Sequence, residues 1–177
     1  EALQYAHEHN MIHRDVKPAN LMLTDKRQCK VVDFGATHDK EQKEIAMFEG
    51  KIIGSPHFIS PEVIRGRAPT ARSDIYGLGI VLWCSLLKHP PFTAETRRDL
   101  YMKHIKARLP DIRQRRPDIP PALKMLIGNC LKKKPDNRID NCGEIAEILR
   151  DISEDFVRQQ HSDIAKISAA VGDTHTT

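Results

Sequence analysis

The spacing of apolar residues changes along this chain, and each change marks a new element. In EALQYAHEHN (1–10), Leu3 and His7 recur at helical spacing, as do Ala2 and Ala6, and Asn10 offers an end signal. The stretch reads as the tail of a helix. The short apolar runs NLML (20–23) and KVVD (30–33) flank a turn-like TDKRQ and predict a small hairpin. Residues 35–60 carry no convincing period, and an aperiodic segment of that length within a compact domain is usually functional or disordered. Helical periods dominate beyond it. Ser73 is placed to cap DIYGLGIVLWCSLL, whose apolar residues cover nearly every face, so this helix should lie buried at the centre. Over 96–107, Leu100 and His104 share one helical face and Tyr101 and Ile105 another. Two stripes follow, one of Leu123, Leu126, Ile127, Cys130 and Leu131, the other of Ile145, Ile148, Leu149, Ile152 and Phe156. Prolines 120, 121 and 135 separate these elements, and VGDTHTT at the end has no core face and predicts a disordered tail. The expected architecture is mainly α, with a small hairpin near the N-terminal edge and no internal repeat.

Composition narrows the class. The 177 residues are enough for one domain, with 40% hydrophobic and 29% charged residues, a soluble balance. No apolar run reaches the ~20 residues of a membrane span, and no signal-peptide pattern opens the chain. Glu1 is not an initiator methionine, so the chain is expected to be a piece of a longer protein. The net charge of +4 is clustered at RQRR (113–116) and KKK (132–134), with few aromatics between, so these read as solvated helix ends, not a nucleic-acid surface. The four cysteines, Cys29, Cys84, Cys130 and Cys142, form no C-x-x-C pair and no zinc spacing. A reducing, cytoplasmic setting follows as an expectation.

The chemistry lies in MIHRDVKPANLML (11–23) and VVDFGAT (31–37), where Asp15, Lys17, Asn20 and Asp33 interrupt apolar runs. Phosphoryl transfer from a nucleotide needs a carboxylate to accept the proton of the attacking hydroxyl. It also needs oxygen ligands for Mg²⁺ and a cation near the group in flight. Asp33 and Asn20 carry oxygens of the type Mg²⁺ prefers; Asp15 is free to be the base and Lys17 the cation.

H-R-D-V-K-P-A-N (13–20) followed by D-F-G (33–35) resembles the catalytic and metal-binding loops of the eukaryotic-type (Hanks-type) serine/threonine protein kinase family. S-P-E (60–62), D-I-Y-G-L-G (74–79), H-P-P-F (89–92) and K-P-D-N-R (134–138) resemble that family's later landmarks, in order and spacing. The resemblance implies a kinase-like C-terminal lobe over 1–153, a helical extension and disordered tail over 154–177, and ATP and Mg²⁺ as cofactors. It implies Asp15 as catalytic base, with Lys17 assisting in the manner of the serine/threonine branch. Asn20 and Asp33 would hold the metal, and Lys17, Asn20, Met22 and Asp33 would contact the nucleotide, Met22 under the adenine ring. Phe34 and His13 would stack in an internal apolar spine. Asp74 would accept hydrogen bonds from the backbone near His13 and Arg14. Glu62 and Arg138 would form a buried ion pair. Residues 33–62 would be the activation segment, with Ser55 bonding to Asp15 and Lys17. His57 and the helix over 96–107 would touch a protein substrate with a Ser or Thr acceptor.

Departures from the family pattern matter too. No Ser, Thr or Tyr lies between Thr37 and Ser55, although Arg14 precedes the catalytic Asp. Glu49 would then supply a fixed charge to Arg14 in place of a phosphate, more weakly, since a carboxylate carries about one charge against ~1.5–2. Phe58 stands where tyrosine is commoner. No G-x-G-x-x-G loop, strand lysine or partner glutamate is present, so the N-terminal lobe is expected outside this chain and the isolated polypeptide is expected to be inactive. The alternatives are a non-catalytic kinase-like binding module, or a small-molecule phosphotransferase, which shares the H-x-D-x-x-x-x-N loop without the S-P-E box.

Overall fold

A computed structural model describes residues 1–26, 28–33 and 55–172. Among these residues, six α-helices and one hairpin follow in the order α1 (Ala2–Glu8), β1 (Leu21–Leu23), β2 (Cys29–Val31), α2 (Pro61–Ile64), α3 (Ala71–Leu87), α4 (Arg97–Lys106), α5 (Pro121–Cys130) and α6 (Cys142–Gly172). The mainly helical expectation holds, and the hairpin lies where the apolar runs placed it. β1 and β2 pair antiparallel, with Leu21 opposite Val31, Met22 opposite Lys30 and Leu23 opposite Cys29. α1 stops because Asn10 turns left-handed at φ 57°, a conformation asparagine tolerates better than most residues, and the Met11 amide closes back on the Ala6 carbonyl at 2.9 Å.

α3 is the axis. Its buried residues run from Ser73 to Trp83 and include Asp74, Ile75, Tyr76, Gly77, Gly79 and Ile80. Adjacent residues therefore face different surroundings. Ile75 joins a core with Leu3, Val16, Leu126, Cys130, Ile139, Cys142 and Ile145. Tyr76 and Ile80 join a second core with Trp83, Ile112, Ile119, Ile127 and Leu131. Two glycines allow close approach. A Cβ at Gly79 would stand 2.7 Å from Cys130 Cβ, which explains why α3 and α5 can cross tightly there; one at Gly77 would stand 3.1 Å from the Val16 carbonyl oxygen, where the 13–20 loop runs over the helix.

Two details differ from the periodic reading. Thr70, not Ser73, is the N-cap of α3; Ser73 sits at the third helical position, where its hydroxyl accepts from the Thr70 amide at 3.1 Å in a capping box. Phe156, placed by spacing on the buried stripe of α6, is 56% exposed, because the described body gives the helix nothing to pack on at that turn. α6 itself continues to Gly172, so the first two residues of VGDTHTT are helical; the rest of that segment lies outside the described residues. No helix among the described residues is long and apolar enough to cross a membrane.

Candidate active site

The loop that carries Asp15 is fastened from below by a single carboxylate. Asp74, in the first turn of α3, accepts from the His13 amide (Oδ2, 2.8 Å) and the Arg14 amide (Oδ1, 2.9 Å). A third donor comes from α1: His7 Nε2 lies 2.8 Å from Oδ2. The Asp74 side chain is 1% exposed and that of His7 8%. A charge so deeply buried needs such partners, and amide N–H groups on a carboxylate make strong, charge-assisted bonds. Those amides also hold Arg14 at φ 71°, a left-handed conformation costly for a residue with a Cβ. The His13 ring adds a second tether. Its Nδ1 accepts from the Asp15 amide at 3.3 Å, which puts the ring proton on Nε2, 3.2 Å from the Val32 carbonyl.

Above this anchor, three of the four chemistry-bearing residues converge. Lys17 Nζ sits 2.5 Å from Asp15 Oδ2. Asn20 ends a short 3₁₀ turn, Pro18–Asn20, and is 5% exposed. Its Nδ2 donates to the Asp15 carbonyl at 2.8 Å and approaches Oδ2 at 3.5 Å. The Ser55 amide donates to Asp15 Oδ1 at 3.4 Å. It is thus the backbone of Ser55, not its hydroxyl, that reaches the carboxylate, and no bond from Ser55 to Lys17 is present. Asp15 is left half-buried with both oxygens oriented.

Asp33 follows directly on this arrangement, since the Val32 amide bonds to the Asn20 carbonyl at 2.9 Å and the Val32 carbonyl faces His13. Asp33 is exposed, stands at φ 62°, and its carboxylate has no protein partner among the described residues. The donor set fits Mg²⁺. With Nδ2 committed to Asp15, Asn20 keeps Oδ1 unused among the described residues, and Asp33 offers a free carboxylate. Among the described residues no group of three or more His, Cys, Asp and Glu is placed to hold a metal. Met22 projects from β1 and is 57% exposed. A broad open groove of about 900 Å³ lies along α4, lined by Thr93, Asp99, Met102, Lys103 and Lys106, and not at Asp15. Phe34 and Glu49 fall outside the described residues.

The expected ion pair is present and buried. Arg138 meets Glu62 with both terminal nitrogens, at 2.8 and 2.7 Å, and its remaining donors go to the carbonyls of Lys132 (2.8 Å), Arg72 (2.7 Å) and Lys133 (3.4 Å). Ser73 Oγ adds a 2.8 Å bond to Glu62. Burial opposes the Glu62 charge, but the Arg138 hydrogen bonds and charge, with Ser73 and backbone bonds, outweigh it and hold the carboxyl below its usual range. The Arg138 guanidinium lies 4.9 Å from the Tyr76 ring centroid, and the Tyr76 hydroxyl shares a 2.8 Å hydrogen bond with His104 Nδ1 on α4.

His104 is fully buried, and burial, with Lys133 and His57 nearby, pushes it down to about 3. Lys133 also donates to the His104 carbonyl at 2.7 Å and lies 4.3 Å over the Phe92 ring. One result should follow. As pH falls from 6.5 toward 3, the unfolded chain takes up a proton on His104 that the folded chain refuses. Stability should drop in that window by up to about 1.4 kcal/mol per pH unit. Urea denaturation across the window measures this, and in His104→Gln the decline should be shallower.

Sequence spacing missed His7, which it counted only as one member of a helical stripe, and Ser73, which it took for a cap. The signal was there: a histidine at an inward position beside Leu3 has to find a polar partner.

Residues 1–151 match the protein kinase domain family. A probable serine/threonine-protein kinase of Clostridium acetobutylicum is 37% identical over 157 residues, covering 89% of this chain and 24% of that protein. The serine/threonine-protein kinase PknB of Mycolicibacterium smegmatis is 35% identical, over 85% of this chain and 24% of the relative. The serine/threonine-protein kinase PrkC of Bacillus subtilis is 33% identical, over 81% and 22%. The chain thus spans about a quarter of the length of these relatives.

Proposed function

Because this chain belongs to the protein kinase family, we propose that it carries the catalytic base and metal ligands of a serine/threonine protein kinase. The reaction moves the terminal phosphoryl group of ATP to a Ser or Thr hydroxyl of a protein substrate. One observation supports this reading above the others: the Asp15 carboxylate is oriented by Lys17 and the Ser55 amide, with Asn20 bonded to the Asp15 carbonyl, on a loop that Asp74 fastens from below.

In this reading Asp15 accepts the hydroxyl proton as the new O–P bond forms and the bond from the γ-phosphorus to the bridging oxygen breaks, releasing ADP. Lys17, now paired with Asp15, turns part of its charge to the transferring group. Asn20 Oδ1 and the Asp33 carboxylate would hold Mg²⁺, which when bound would offset negative charge on the phosphates. Met22 presents its thioether to the adenine face. The segment 55–60 and α4 meet the substrate. Residues 1–153 act as the C-terminal lobe and 154–177 as an extension, in a cytoplasmic setting. The glycine-rich loop and strand lysine come from a lobe outside this chain, so the isolated polypeptide transfers phosphate little or not at all.

The test is Asp15→Asn in the complete protein. The expected result is a fall in kcat of about 10²–10⁴, the usual contribution of general-base catalysis, with the ATP KM little changed. Undiminished turnover in Asp15→Asn would overturn the assignment. An inactive complete protein with Asp15 intact would favour the non-catalytic module instead.

A further inference from the structure

We propose that the small cavity beside Asp15 is a hydration site: one ordered water, held by the Ser60 hydroxyl, ties the 55–60 segment to the loop that bears Asp15. Its bearing on phosphoryl transfer rests on the function proposed above; the site itself does not. The cavity measures about 30 Å³ and is lined by Asp15, Ser55, Phe58, Ser60, Ser73 and Asp74, among others. A water needs about 10–15 Å³ of such space and two to four polar partners. One fits.

Ser60 supplies the first partner. It is 3% exposed, and its Oγ is buried without a hydrogen-bond partner among the described residues. It stands at the N-cap of α2, where a serine hydroxyl ordinarily accepts from a backbone amide, yet it makes no such bond. A buried hydroxyl left unpaired is costly, and native proteins answer with an ordered water. The opposite wall supplies the second partner. In the recorded bonds Asp15 Oδ1 receives the Ser55 amide, at a long 3.4 Å, and Asp74 Oδ1 receives the Arg14 amide at 2.9 Å. Each carboxylate oxygen has room for a second donor. Ser73 does not serve, because its hydroxyl is spent on Glu62 and the Thr70 amide. The water therefore accepts from Ser60 Oγ and donates to Asp15 or Asp74. It answers the hydroxyl proton, which a cation cannot. The long Ser55 bond holds the 55–60 segment to Asp15 only loosely, and the water adds a second tie at Ser60.

A high-resolution crystal structure of the complete protein tests this without any substitution. The expected result is a density peak within hydrogen-bonding distance of Ser60 Oγ and of a carboxylate oxygen of Asp15 or Asp74. A cavity without that peak, while other buried waters are visible, would overturn the inference. So would a peak about 2.0–2.6 Å from the carboxylate oxygens, the spacing of a bound cation. In Ser60→Ala the peak should vanish. There kcat should fall about 10-fold, short of the ~100-fold that a 1 Å misplacement can cost, with the ATP KM near wild type. Ser60→Thr keeps the hydroxyl and should keep the peak and most of kcat. A peak equally strong in Ser60→Ala, or a kcat unchanged after its loss, would refute the coupling, as would equal losses in both variants. If the complete protein with Ser60 intact transfers no phosphate, the function proposed above fails. The density then still decides whether the water is there.

Discussion

Arg138→Ala should destabilise the fold by about 3–5 kcal/mol, the cost of leaving one member of a buried ion pair without the other. Glu62 is 3% exposed and Arg138 4%, so water does not reach the carboxylate that the truncation strands. The loss extends further, because the carbonyls of Lys132 and Arg72 also lose a donor, at 2.8 and 2.7 Å. Chemical denaturation gives the number directly. Replacing both partners by apolar residues of similar size should recover a good part of it, since the penalty comes mainly from the orphaned charge and not from a large net worth of the pair. A single and a double variant of equal stability would contradict this account. The fold would then tolerate Glu62 alone, for instance by protonating it.

Asp74→Ala should cost about as much in stability and more in activity. It leaves the His13 and Arg14 amides and His7 Nε2 without their acceptor, and each buried donor so stranded costs about 1–3 kcal/mol. Asp74→Asn is the gentler change. It keeps one oxygen for an amide but turns an NH₂ group toward the other donors, so part of the loop should lift. In the complete protein, kcat should fall, because the loop that bears Asp15 loses part of its anchor at the His13 and Arg14 amides. Combining Asp74→Asn with His7→Leu should add little to Asp74→Asn alone, because both changes act on one unit.

Much of this arrangement was legible from residue order, and the reasons differ from part to part. The elements were readable because α5 and α6 are amphipathic and α3 is apolar all round, patterns that burial imposes directly. Asp15, Lys17 and Asn20 were readable because charged and amide groups within an apolar run must be placed for a purpose. The Glu62–Arg138 pair, 76 residues apart, was reached only through resemblance, since no local period links the two. His7 and His104 were hidden for a related reason. At helical spacing a histidine looks like any other stripe residue, and its partner, Asp74 or Tyr76, lies on another element. Ser55 was read as a hydroxyl donor because its side chain suggested one, whereas the recorded contact is its backbone amide. Main-chain groups carry no sequence signature.

The interleaving of α3 and α5 has a consequence for how the molecule comes apart. Ile75 and Tyr76 are neighbours in sequence but belong to different cores, as are Leu126 and Ile127. Neither core can melt while the other stays intact, because the same two rods line both. Heat or denaturant should therefore disassemble this body in one cooperative step, and the loop bearing Asp15 should lose its footing only when everything else does.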